Sequence, residues 1–196
     1  VYGAKVREKE AELRTLQAQI NPHFLYNTLD SINWMAVKYG ADDIEEMVTD
    51  LSQMLRYSLN NGVNQLKVSE ELTQIRCYLN IQQKRFSNSF STSYEIDPEV
   101  LDYQVIKLLL QPLVENAILH GISGKENIDT EPGKITIDGT MGPDCMYFTV
   151  SDNGCGMDEK TLATITSAET KGYGIRNVDQ RIKLYFGDIY GITYES

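Results

Sequence analysis

The chain has 196 residues, 41% of them hydrophobic and 23% charged, and 18 Lys and Arg face 28 Asp and Glu for a formal charge of -10. This is the composition of a folded protein of one large or two small domains, not of a disordered or fibrous one. The acidic balance argues against duplex nucleic acid as a direct ligand, because neutralising phosphates takes clustered Lys and Arg.

Residues 3–39 read as one long helix that opens on charge (Lys5, Arg7, Glu8, Lys9, Glu10, Glu12, Arg14). Leu13, Leu16, Ile20, Phe24 and Leu25 then give apolar positions at steps of three and four, the helical period. Pro22 has no N–H for the carbonyl of Ala18, so a kink is expected one turn before His23. His23 lies beside the apolar stripe and reads two ways: an ordinary partly buried histidine, or a neutral imidazole that accepts a phosphoryl group. Gly40 marks the helix stop. A second helix runs from 42 to 59 with Ile44, Met47, Val48, Leu51, Met54 and Leu55 as its stripe, and Asn60-Asn61-Gly62 ends it. Two such helices form a hairpin that cannot bury both stripes alone. A homodimer through residues 1–63, closing a four-helix bundle, is the expected solution; packing on the chain's own second domain is the alternative.

Past Gly62 the pattern changes, which sets the domains at 1–63 and 64–196. Residues 65–68 read as a short strand, Ser69 as an N-cap, and a third helix runs to Phe86. Residues 90–96 alternate as a strand closed by Asp97-Pro98. The apolar run 105–110 leads into a helix with Pro112 in its first turn, ending near Gly121. A polar loop (123–133), two paired strands (134–139 and 145–151) and a turn at Met141-Gly142-Pro143-Asp144 follow. A short helix (158–165), a helix over 175–185 and a last strand over 190–195 complete the chain. Without a regular βαβ rhythm, the expected architecture is α+β, a mixed sheet covered on one face by helices.

Three stretches carry chemistry. In Gln111-Pro-Leu-Val-Glu-Asn-Ala-Ile-Leu-His-Gly121, Asn116 and His120 stand four apart on one helix face. Asn116 suits a hydrated Mg²⁺ that leans on substrate phosphates, and His120 suits a phosphate; taken alone, the stretch reads more readily as structural polar groups. In Val150-Ser-Asp-Asn-Gly-Cys-Gly-Met157, Asp152 offers a carboxylate at a strand end, and Gly154 and Gly156 let the backbone approach a ligand. Lys171-Gly-Tyr-Gly-Ile-Arg-Asn177 opens a helix, where backbone amides favour phosphate oxygens.

In this order the stretches resemble the N, G1 and G2 boxes of the GHKL (Bergerat) ATPase superfamily, which histidine kinases share with type II topoisomerases, Hsp90 and MutL. The earlier stretch Gln17-Ala-Gln-Ile-Asn-Pro-His-Phe-Leu-Tyr-Asn27 resembles the H box of sensor histidine kinases of the LytS/YesM type. The resemblance covers nearly the whole chain. It implies an α/β-sandwich ATP domain after the hairpin, with ATP and Mg²⁺ as cofactors. By the same resemblance, His23 is the phosphoacceptor, Asn116 the Mg²⁺ ligand, and Glu115 beside it a ligand or a water-orienting carboxylate. Asp152 reads the adenine amino group over a floor shaped by Gly154 and Gly156. His120, Lys171, Gly172 and Gly174 meet the phosphates, and residues 158–171 form the ATP lid. Asn27 sits where an amide often orients the water that dephosphorylates the partner. That partner is a response-regulator receiver domain, and a hinge over 60–64 brings ATP to His23.

The chain departs from the commonest sensor kinases in three places. Phe24 stands where an acidic residue often follows the phosphoacceptor, which leaves the base for His23 open, with Glu115 as a candidate. Pro112 stands where an Asn is frequent in the N box, and the G2 region has only two glycines. Cys77, Cys145 and Cys155 are odd in number and lack metal spacing, which suits a reduced compartment. No apolar run approaches the roughly 18 residues that span a bilayer. The resemblance then implies the cytoplasmic core of a bacterial membrane protein, tied to the membrane only through an upstream segment. The rival is a catalytically silent ATP-binding module that keeps the fold and the dimer.

Overall fold

The computed structural model describes residues 22–58, 64–87, 89–123, 131–158 and 173–195. Its contacts divide the chain into two compact units, Val1–Ser52 and Gln53–Ser196. Helix α1 (Pro22–Tyr39) is the first described element and lies in the first unit, and α2 (Asp42–Ser58) runs across the division. Gly40 ends α1 with φ +64. Gly40 N–H donates to Val37 and Ala41 N–H to Ala36, the paired bonds that close a helix on a left-handed residue. Asp42, Asp43 and Glu45 occupy the first turn of α2, where the helix dipole favours negative charge.

The second unit begins with β1 (Gln65–Lys67), which pairs antiparallel with β3 (Gln104–Ile106). Helix α3 (Val68–Arg85) follows β1 directly. The cap expected at Ser69 falls instead at Lys67, whose N–H donates to Glu70 Oε2 at 2.9 Å. Val68 and Ser69 spend their N–H groups on the carbonyls of Tyr103 and Leu101, so distant backbone, not a serine hydroxyl, starts this helix.

The main sheet has the order β2–β4–β5, with β2 (Phe90–Ile96) parallel to β4 (Gly133–Met141) and β4 antiparallel to β5 (Met146–Asp152). It is a mixed sheet, as the broken βαβ rhythm implied. On one face Ile135 and Ile137 of β4 are fully buried. They meet Leu72, Ile75 and Leu79 of α3 and Val114, Ile118 and Ile122 of the helix after β3 in one apolar cluster. That helix, α4 (Gln111–Asn116), carries Pro112 in its first turn and widens into a π-helical turn over Ala117–Ile122. Such widened turns are rare and concentrate at functional sites.

Helix α5 (Tyr173–Phe186) comes after the described stretch ending at Asp158. The last strand expected over 190–195 does not form. Ile192 N–H donates to the side chain of Asp179 at 3.0 Å instead of to a neighbouring strand. The helix expected over 158–165, the kink at Ala18, the turn Asn60-Asn61-Gly62 and most of the polar loop 123–133 lie outside the described residues.

Candidate functional site

The centre of the second unit is a corner where two chain segments meet without side chains between them. Gly121 ends the run that begins at Gln111, and Gly154 follows the end of β5. A Cβ on Gly154 would lie 2.3 Å from the carbonyl carbon of Gly121, and a Cβ on Gly121 would lie 2.3 Å from Asp152 Oδ1. At Gly154 only glycine lets the two backbones touch, whereas a Cβ at Gly121 would push on the Asp152 carboxylate. Cys155 N–H donates to the Gly121 carbonyl at 3.2 Å and its thiol to the His120 carbonyl at 3.0 Å, pinning the corner. Gly156 takes φ +70 and turns the chain away.

Asp152 stands exposed at the end of β5 and bends back so that Oδ1 accepts from Gly154 N–H at 2.9 Å. Oδ2 has no hydrogen-bond partner among the described residues. On the neighbouring helix Glu115 and Asn116 are half-buried and His120 is exposed. Glu115 Oε1 accepts from Gln111 Nε2 at 2.8 Å. The side chains of Asn116 and His120 have no hydrogen-bond partner among the described residues, so both are available to a ligand. Gly174 begins the approach of α5 to the same helix: its Cβ would meet Pro112 Cβ at 3.5 Å. Asn116, His120, Asp152, Gly154, Gly156 and Gly174 all lie in the second unit, with Asp152 and Gly154 against Gly121 and Gly174 against Pro112 at the start of α4. Lys171 and Gly172 lie outside the described residues.

What aims the helix at this corner is a buried carboxylate. Glu71 of α3 is 1% exposed. Its Oε1 accepts from Leu110 N–H at 3.0 Å and its Oε2 from Leu108 N–H at 3.1 Å, in the turn that leads into α4. Leu108 holds φ +55 there, a conformation a leucine adopts only where its surroundings enforce it. Arg181 of α5 donates to the Lys107 carbonyl in the same turn. Burial pushes the Glu71 carboxyl above its ordinary range, and the backbone N–H groups and the Arg181 charge pull against that. Tyr78, on the same helix, is pushed up to about 12 by burial and then by the charge of Glu115.

In the first unit His23 is exposed on α1. Asn27, one turn on, brings Nδ2 to 3.3 Å from Nδ1 and 3.4 Å from Nε2 of the imidazole. The lone pairs of the two ring nitrogens diverge, so an amide equidistant from both is well bonded to neither. The ring keeps a nitrogen for chemistry.

Sequence reasoning missed Gly121 as a contact, and missed Glu71 and Gln74 altogether. A glycine directly after His120 in an apolar helix was one available signal. The others were two polar residues interleaved with Leu72, Ile75 and Leu79 on the buried face of α3. No group of three or more His, Cys, Asp or Glu side chains that could hold a metal ion occurs among the described residues. No described helix is long and apolar enough to cross a membrane.

Residues 11–90 match the family described as histidine kinase, and residues 101–194 match the histidine kinase-, DNA gyrase B-, and HSP90-like ATPase family. Sensor histidine kinase YesM of Bacillus subtilis is 42% identical over 188 residues, which are 96% of this chain and 31% of YesM. Sensor histidine kinase YpdA of Escherichia coli is 37% identical, over 91% of this chain and 31% of its own. Sensor protein LytS of Staphylococcus epidermidis is 31% identical, over 96% and 32%. The chain therefore spans about a third of the length of these curated relatives.

Proposed function

The chain belongs to the sensor histidine kinases, in the branch of LytS and YesM, and we propose that it moves the γ-phosphoryl group of ATP to His23 and then to an aspartate of a response-regulator receiver domain. ATP binding follows from the ATPase module over residues 101–194. The observation that carries the rest is the glycine corner against Asp152. An open carboxylate oxygen beside a surface that no Cβ may enter suits the flat edge of a purine with an exocyclic amine. In this reading His120, Lys171, Gly172 and Gly174 would meet the phosphates, and Gly156 would shape the floor.

Mg²⁺ fits this site as a guest of the nucleotide. Asn116 offers one oxygen, no cluster of acidic ligands competes among the described residues, and an ion held by few protein groups leans on substrate phosphates. When bound it would neutralise charge on those phosphates. The protein's own part is positioning: Asp152 fixes the base, and Glu115 orients or takes a proton. His23 supplies the nucleophilic nitrogen. Asn27, within reach of the ring, orients a water when the phosphoryl group is removed from the partner. In this reading residues 1–63 form the dimeric phosphoacceptor hairpin and residues 64–196 the ATP domain. In the same reading an upstream segment ties the protein to a bacterial membrane with this core in the cytoplasm.

The test is incubation of wild type and His23→Ala with Mg²⁺ and γ-labelled ATP, scoring acid-labile, base-stable label. Label on wild type alone is expected. Equal label on both removes His23 as acceptor. Nucleotide binding without label on either makes the chain a silent ATP-binding module.

A further inference from the structure

Between α2, α3 and α4 runs a chain of side-chain hydrogen bonds. Gln74 is 1% exposed on the apolar face of α3. Its Nε2 donates to Ser58 Oγ at 3.0 Å and to Gln111 Oε1 at 3.1 Å, and Gln111 Nε2 donates to Glu115 Oε1 at 2.8 Å. Ser58, the last residue of α2, donates its own hydroxyl to the Met54 carbonyl. Each link therefore runs one way.

The direction is set from the carboxylate backward. An ionised Glu115 only accepts, so Gln111 must turn its amine toward it and its oxygen away. That oxygen needs a donor, and Gln74 supplies one from a place water does not reach. The consequence is a buried Gln74 Oε1 with no partner. A lost acceptor of this kind costs stability, and such an atom in a native structure calls for an explanation, of which a role in catalysis is one. An apolar residue would fill the position with no such cost.

We propose that Gln74 is a positioning residue for phosphoryl transfer: through Gln111 it locks the rotamer of Glu115 beside the nucleotide phosphates. This rests on the reading of Glu115 as a carboxylate at the reacting centre. Gln74 itself touches neither the nucleotide nor His23. It acts on where the Glu115 oxygen stands, and a displacement of about 1 Å is enough to slow a positioned reaction by up to a hundredfold.

The experiment compares wild type, Gln74→Met, Glu115→Gln and the double variant. It measures the first-turnover rate of labelling on His23 at saturating Mg²⁺-ATP, the nucleotide dissociation constant and the thermal midpoint. Methionine keeps the volume of glutamine and removes both donors. Gln74→Met is expected to slow labelling roughly tenfold, a fraction of the 10²–10⁴ that acid–base groups supply, with the dissociation constant and midpoint near wild type. In the Glu115→Gln background the same change should do nothing further. Slowing by the same factor in both backgrounds, or no slowing in either, overturns the positioning role while leaving Glu115 in place. A Glu115→Gln variant as fast as wild type overturns the reading of Glu115, and the proposal with it. If Gln74→Met does not fold, Gln111→Met, at a half-buried position, carries the same four-way comparison.

Discussion

The two units differ in how deeply they bury apolar residues, although both expose some, the second at Leu184, Phe186 and Ile189. In the first, only Leu29, Ala36 and Val48 are buried among the described residues, while Phe24, Trp34, Met35, Val37, Tyr39 and Ile44 stay exposed, Trp34 at 65% and Tyr39 at 76%. The Lys38 ammonium lies 5.3 Å from the Trp34 ring and 5.6 Å from that of Tyr39, a partial cover at best. In the second, Leu79, Val100, Ile106, Val114, Ile135 and Ile137 lose all contact with water. The ATP unit encodes an interior. The hairpin encodes a surface, and exposed apolar faces of this kind mark sites of association, as the proposed homodimer requires.

Truncation is the strongest way to break that contrast. Leu79→Ala should cost about 2–5 kcal/mol of folding free energy, the range for emptying a well-packed site. It should do so at every protein concentration, as a urea titration would report. Trp34→Ala should leave the urea midpoint of dilute protein unchanged and instead lower the mass seen by light scattering at high concentration. Equal folding losses from the two variants would erase the distinction. Next in size is Gly154→Ala. The added Cβ meets Gly121 backbone atoms at 2.3–2.4 Å, and backbone cannot swing aside as a side chain can. An overpacking loss of about 1–3 kcal/mol is expected, together with loss of binding to a fluorescent ATP analogue.

The same contrast explains what the sequence disclosed. Local period was enough for β2, read as Phe90–Ile96 to the residue, and for the helix stop at Gly40. It failed where the deciding partner lay far along the chain. Tyr190, Ile192 and Tyr194 alternate as a strand would, yet the N–H of Ile192 is claimed by Asp179. Ser69 is a good cap by residue type, but the carbonyls of Tyr103 and Leu101 had already fixed the start of α3. At the site, family resemblance selected the residues around the corner. The contact of Gly121 with Gly154, and the service of Glu71 and Gln74 to α4, are tertiary facts that no spacing contains.

Glu71 sharpens the comparison from the polar side, since the ATP unit buries a charge that the hairpin would leave in water. Glu71→Gln keeps the shape but turns an N–H toward N–H groups of Leu108 and Leu110, and about 1–3 kcal/mol of stability should be lost. The pH dependence has a definite sign. The folded carboxyl titrates above its ordinary 4.5, so between that value and the folded one the native state holds more protons than the unfolded. Its contribution to stability is complete below 4.5 and declines as pH rises through the folded value. The stability difference between wild type and Glu71→Gln should therefore shrink with rising pH across that window. A difference that grows with pH would mean the N–H groups and Arg181 outweigh burial.

The smallest effect belongs to the pair that looks best on distance alone. Lys67 Nζ donates to Asp102 Oδ1 at 2.8 Å, shorter than either Glu71 contact, yet the side chains are 53% and 88% exposed. The hydrogen bond and the opposite charge hold Asp102 below and Lys67 above their ordinary values. By linkage, the Asp102 part would fade as pH falls through its lowered value, and the Lys67 part as pH rises through its raised one. Water and salt screen both, and ordering two long side chains opposes the gain. Asp102→Asn should leave the urea midpoint at neutral pH within measurement error, in low salt and in high. A resolvable drop that salt abolishes would show that an exposed charge here matters as much as a buried one. Glu71 could then no longer be singled out by its burial, and the alignment of α4 would have to be explained by the strand pair β1–β3, which Lys67 joins.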